Sequence, residues 1–188
     1  PIKILLIDNS LDQTGASKAL LQTIEAIPPE RFEFIFLFPE NSKCVDIVRS
    51  NGYQVYELGF IEISKRIKDL LLYFPRLYSN ARKIRKLVRQ QGIGIVHVND
   101  LYNMTGIVTK RITGLKLVTH VRRMPESFPS SIYKIWARMH LKHADHVVAV
   151  SEANKNALPP NNKTSVVYDP LPEEEKLSKY TARPLLQK

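Results

Sequence analysis

Short runs rich in Val, Ile, Leu and Phe recur along this chain, and most are separated from the next by a segment long enough for a helix. That alternation limits the fold more than any other feature. The runs are residues 2–7, "FEFIFLF" at 32–38, "YQVYEL" at 53–58, "GIVHVN" at 94–99, "KLVTHV" at 116–121, "HVVAV" at 146–150 and "TSVVY" at 164–168. Strands that read as nearly unbroken apolar runs are buried on both faces, and parallel neighbours need a crossover between them. The intervening segments supply it. Residues 15–27 carry a helical stripe of Ala16, Leu20, Ile24 and Ile27, closed by Pro28-Pro29. Helices are also predicted at 43–51, 61–91 with a break near Pro75, 103–113, 130–143, and from an N-cap at Ser151 to Leu158. The expected fold is α/β: a Rossmann-like parallel sheet of about seven strands with helices on both faces. After Tyr168 the pattern stops, so residues 1–168 read as one domain and 169–188 as a linker.

With 188 residues, 44% hydrophobic, the chain can bury a sizeable core. One cysteine, Cys44, rules out a disulfide framework within the chain, and no apolar run approaches membrane-span length. The formal charge of +10 asks for an anionic partner. Most of the excess lies between Ser64 and Gly92, where Lys65, Arg66, Lys68, Arg76, Arg82, Lys83, Arg85, Lys86 and Arg89 face Asp69 alone. At 100° per residue, Leu77, Ala81, Ile84, Leu87 and Val88 fall on one side and Arg82, Lys83, Arg85, Lys86 and Arg89 on the other. Leu72 and Tyr73 are placed beside Lys65 and Arg66. Apolar groups among cations suit an anionic bilayer surface. A nucleic acid is the competing partner, but no nucleic-acid motif is present.

In open parallel sheets, ligands bind beyond the C-terminal ends of the strands. The residues there are Asn9, Ser10 and the Thr14-Gly15-Ala16-Ser17 turn, then His97, Asn99 and Asp100, then His120, Arg122 and Arg123, and finally Ser151 and Glu152. The set is rich in hydrogen-bonding and basic groups. It has no cysteine–histidine metal spacing and no G-x-S-x-G nucleophile motif. Gly15 reads either as relief of backbone crowding or as a place where a ligand comes close. His97 reads as a histidine at a strand end, and His120 as one that precedes a loop.

Five stretches in order, "TGASKALL", "IVHVND", "LVTHVRR", "ADHVVAVSEANKNAL" and "KTSVVYDPL", resemble the N-terminal domain of GT-B fold glycosyltransferases, in particular glycosyltransferase family 4. The resemblance implies a retaining transferase that moves a sugar from a nucleoside diphosphate sugar to a glycan or glycolipid, in bacterial surface polysaccharide synthesis. It implies a second, donor-binding domain beyond this chain, so that these residues alone are inactive. Thr14, Gly15 and Ala16 would approach the donor. His120 would contact the transferring sugar or the acceptor, and Asn99, Asp100, Arg122 and Arg123 would line the acceptor side. No metal or other cofactor is implied. The expected location is the cytoplasm, peripheral at the inner face of the cytoplasmic membrane. The alternative is a non-catalytic α/β binding domain that docks an anionic partner through its basic helix.

Overall fold

A computed structural model describes residues 1–60, 67–127 and 130–170. Seven strands form one all-parallel sheet: β1 (Ile2–Asp8), β2 (Phe32–Pro39), β3 (Gln54–Leu58), β4 (Ile93–Asn99), β5 (Lys116–Val121), β6 (His146–Ala149) and β7 (Thr164–Val166). Their order is β3-β2-β1-β4-β5-β6-β7. The chain therefore starts in the middle of the sheet, winds to one edge, returns, and fills the other. The switch point lies between β1 and β4, where the crossovers diverge and leave a crevice at the strand ends.

Two apolar layers hold the sheet. Alternate residues of β1 and β2, namely Leu6, Phe34, Phe36 and Phe38, pack with Leu20 and Ile24 of α1 (Gly15–Glu25) and Val45 and Val48 of α2 (Cys44–Ser50). On the opposite face Leu5, Ile7, Val96, Val98 and Leu117 meet α3 (Ile67–Gln91), α4 (Thr105–Thr113) and α5 (Ser130–His143) through Ile84, Val88, Ile107, Trp136 and Ala137. Leu5, Leu6 and Ile7 are all fully buried, as the unbroken apolar run requires. α4 sits close enough that a Cβ on Gly106 would overlap Val98 Cγ2, so glycine sets that helix-to-sheet distance. A short α6 (Glu152–Asn156) is capped by Ser151, whose hydroxyl accepts from the Asn154 amide, as the sequence predicts.

Two expectations about the basic segment are corrected. α3 runs through Pro75 without a break. Because the helix is continuous, the stripe Leu77-Ala81-Ile84-Val88 extends back one turn to Tyr73, which is buried rather than presented among the cations. Leu72, Phe74 and Tyr78 are the exposed apolar groups instead, at 56%, 67% and 55%. Arg82, Lys83, Arg85, Lys86 and Arg89 are exposed as predicted. Lys65 and Arg66 lie outside the described residues. No helix among the described residues is long and apolar enough to cross a membrane.

Candidate functional site

The C-terminal ends of β1, β4 and β5 converge on a buried polar cluster. Asp8 closes β1; one carboxylate oxygen accepts from the Ser10 amide at 2.8 Å and the other from Asn99 Nδ2 at 2.7 Å. Asn99 Oδ1 in turn accepts from Arg122 Nε at 2.7 Å. Beside this string, Asn103 Nδ2 donates to Asn9 Oδ1 at 2.7 Å while Asn103 Oδ1 accepts from the Thr105 amide. Asp8, Asn9, Asn99 and Asn103 are buried, and each has a hydrogen-bond partner within the cluster, which is how polar groups survive in a sheet interior.

Asp100 leaves β4 with φ 95, in the left-handed region that non-glycine residues seldom adopt. Its amide donates to the His120 carbonyl, and its carboxylate accepts from the Leu101 amide. Burial raises the Asp100 carboxyl to about 6, against the opposing pull of the Leu101 amide and Arg123. Arg123 is half exposed; its Nε lies 3.7 Å from Asp100 Oδ2, and its guanidinium lies over the Tyr102 ring at 4.7 Å. The backbone strain, the buried acid and the stacked arginine coincide at one strand end, the kind of place where sites hold such strain.

His120 is less peripheral than the sequence suggests. It is the penultimate residue of β5, as the run at 116–121 predicts, but it is buried. Its ring stacks on His97 with centroids 5.6 Å apart. Both His120 nitrogens and His97 Nε2 are buried without a hydrogen-bond partner in the structure. Burial first, and then the Arg122 charge, lower His97 to about 4 and His120 to about 2, with His97 adding to the effect on His120. Both rings are therefore neutral near pH 7. A neutral imidazole carries one donor and one acceptor, so it can orient a hydroxyl.

Arg122 is placed differently from the acceptor-facing role expected of it. Its side chain is 4% exposed, and its guanidinium bonds Asn99 and the Asp169 carboxylate. In the connection that follows β1, Thr14 caps α1. Its hydroxyl accepts from the Ser17 amide, and the Ser17 hydroxyl accepts from the Thr14 amide, a reciprocal box. A Cβ on Gly15 would meet nothing within 4 Å, and its φ is not left-handed. Neither crowding nor backbone conformation asks for glycine there, and the exposed Gly15 and half-buried Ala16 open a helix N-terminus beside the switch point.

Reading the sequence missed Asp8, Asn103 and Asp169. Asp8 carried a signal, as a carboxylate ending an otherwise apolar strand. Asn103 and Asp169 carried none, since their partners lie 94 and 47 positions away. No group of three or more His, Cys, Asp or Glu among the described residues is arranged to hold a metal ion.

The fold is found in solved glycosyltransferases. Anabaena HepE in complex with UDP and glucose matches with a TM-score of 0.70 at 17% identity, over 98% of this chain and 50% of that one. A glycosyltransferase from Rickettsia africae gives 0.65 at 18% identity over 100% and 50%, and Acinetobacter baumannii MurG gives 0.61 at 8% over 94% and 48%. The chain thus spans about half the length of these structures, as one Rossmann-like domain of a GT-B fold. No curated protein sequence matches it. The family model for Glycosyltransferase Family 4 matches residues 14–171, most of the chain, and the protein belongs to that family.

Proposed function

We propose that this chain is the acceptor-side N-terminal domain of a retaining glycosyltransferase. The enzyme would transfer a sugar from a nucleoside diphosphate sugar to a glycan or lipid-linked acceptor in bacterial surface polysaccharide synthesis. Residues 169–188 would lead to a donor-binding domain. The observations that carry the reading are two features at the strand ends: a neutral His120 whose buried nitrogens have no partner, and, after β1, a helix N-terminus whose glycine the fold does not require. The family match and the UDP and glucose held by HepE support it.

In this reading the α1 N-terminus, with backbone N–H groups at Gly15 and Ala16, meets the donor's diphosphate or the sugar it carries, where a helix dipole favours negative charge. The leaving diphosphate is stabilised by such fixed donors without a metal ion. His120 Nδ1 or Nε2 orients a hydroxyl of the sugar or acceptor. Asn99 and Asp100 shape the acceptor side, and Arg123, exposed at its rim, meets an acceptor phosphate. Arg122 serves this side through Asn99 rather than by direct contact.

The exposed face of α3 would hold the enzyme at the inner surface of the cytoplasmic membrane. Phe74 and Tyr78 stand one turn apart, and Arg82 continues the row among Lys83, Arg85, Lys86 and Arg89. Phenyl and phenol rings enter the headgroup region while each cation near an anionic surface adds about 1 kcal/mol.

The test uses the full-length enzyme with a panel of nucleotide sugars and lipid-linked acceptors. His120→Ala should lower kcat by at least ~100-fold with the domain still folded, and the 188-residue chain alone should transfer nothing. Full turnover in His120→Ala overturns the assignment.

A further inference from the structure

β7 is three residues long, at the edge of the sheet, and none of its residues is fully buried. It is held to β6 by the register Val147↔Thr164 to Ala149↔Val166 and by the Val167 amide donating to the Ala149 carbonyl at 2.9 Å. Val167 and Tyr168 are exposed, at 47% and 68%. Packing on this stretch is therefore slight, and by itself would fix the departing chain poorly. Asp169 follows. Its carboxylate, one-third exposed, accepts from Arg122 Nη1 through both oxygens.

Arg122 is the centre of a larger arrangement. The same guanidinium donates through Nε to Asn99, which donates to Asp8. The Arg122 carbonyl accepts from Asn154 Nδ2 at 3.3 Å, bringing in α6. One buried cation thus joins the ends of β1, β4 and β5 to the segment beyond β7, and the main chain of the same residue adds α6. A guanidinium this deeply buried is costly unless an opposite charge and hydrogen bonds compensate it, and Asp169 is the carboxylate that does so. The pair is sensitive in both directions: losing Asp169 strands the charge, and losing Arg122 releases the chain.

We propose that Arg122 and Asp169 form a latch that fixes where the chain leaves the sheet, and that Arg122 is a positioning residue coupling this exit to the Asn99–Asp8 string at the strand ends. The latch is a property of this chain and does not rest on the glycosyl-transfer reading. Its consequence is that whatever follows Asp169 is steered from the same cation that flanks the stacked His97 and His120. A movement of the segment beyond β7 then reaches the strand ends through one side chain. A ligand that disturbs Asn99 reaches that segment by the same route.

Hydrogen exchange on the 188-residue chain at pH 7 tests this, comparing a peptide over 164–170 with one over 4–7 as the reference for global opening. Asp169→Asn and Arg122→Lys should each speed exchange at Val167, whose amide bonds the Ala149 carbonyl, by ~10-fold or more beyond any change in the 4–7 peptide. The double variant should be no faster than the faster single, because both break the same bond. Asp169→Glu, which keeps the charge, should restore most of the protection. If Arg122→Lys does not fold, Asp169→Asn decides alone, since its side chain is partly exposed and its shape is kept. Unchanged protection at Val167 in Asp169→Asn, or losses that add in the double variant, would overturn the latch.

Discussion

Lowering the pH from 6.5 to 4.5 should destabilise this domain steeply, and the cause should be histidine rather than carboxylate. His97, His120 and His140 are all buried and neutral. Burial lowers His97 and His140 from 6.5 to about 4, with Arg122 assisting at His97, and lowers His120 to about 2. For a base whose charged form is disfavoured by folding, stability is full above the unfolded pKa and is lost as the pH falls below 6.5 toward the folded value. Asp100 works the other way. Burial raises it from 3.8 to about 6, so between those values the folded state binds a proton that the unfolded state does not. Near pH 5 the unfolded chain holds about three protons on the histidines, and the folded chain about one, on Asp100. The difference of about two protons gives a slope on the order of 3 kcal/mol per pH unit. Against a total of about 5–15 kcal/mol for a domain, that is severe. With a urea m-value of ~2 kcal/mol/M, the unfolding midpoint should fall by roughly 1 M per pH unit. His97→Phe, which keeps an aromatic ring against His120, should remove about one proton from the difference and roughly halve the slope. Urea titrations followed by Trp136 fluorescence at pH 7, 6 and 5 decide it. A midpoint that stays flat over this range would mean that the histidines ionise in the folded state almost as they do in water, and the buried-neutral argument fails.

Thr14→Ala should cost about 1 kcal/mol of stability by removing the hydroxyl from the α1 cap, measured by urea unfolding; no loss would mean that the capping box is idle. Gly15→Val should shift Tm little, since its Cβ has open space, yet abolish transfer in the full-length enzyme; surviving activity would reduce the turn to a connection. Gly106→Ala should destabilise by ~1–3 kcal/mol, because its Cβ would lie 2.2 Å from Val98 Cγ2 and 2.9 Å from Leu117 Cδ1, both within the packed core. Vesicles with anionic lipid should sediment the chain and neutral vesicles should not. Changing Arg82, Lys83, Arg85 and Lys86 together to Gln should remove most of the difference, and Phe74→Ser with Tyr78→Ser the salt-resistant remainder, whereas tight binding to RNA or DNA without vesicle binding would refute the membrane role.

The fold was legible because burial on both faces of a sheet writes itself into every strand residue. β5 and α5 match the runs read at 116–121 and 130–143 end to end. The basic face of α3 was legible for the same reason, since a helix period applied to 77–89 separates Ile84 and Val88 from Arg82 and Lys86 without help from the fold. Tyr73 was misplaced only because Pro75 was given a helix-breaking role. The actual helix carries its phase across the proline, and the ring one turn before Leu77 turns inward.

The strand-end cluster shows where such reading stops. Local pattern says that Asp8, Asn99, His120 and Arg122 lie at strand ends, and it says nothing of depth. Depth comes from the sheet order. β4 inserts beside β1, and β5 beside β4, so that Asp8 stands opposite Asn99 and Asn99 opposite His120 in register. Three polar residues that would each be at a rim in an isolated hairpin are thereby brought together and sealed. Once sealed, their chemistry changes: Arg122 must find a carboxylate and takes Asp169, while the two histidines beside it must stay neutral. The sequence marks the residue types and the topology sets their charge states, so the acid sensitivity of the domain and the neutral imidazole at its strand ends have one origin.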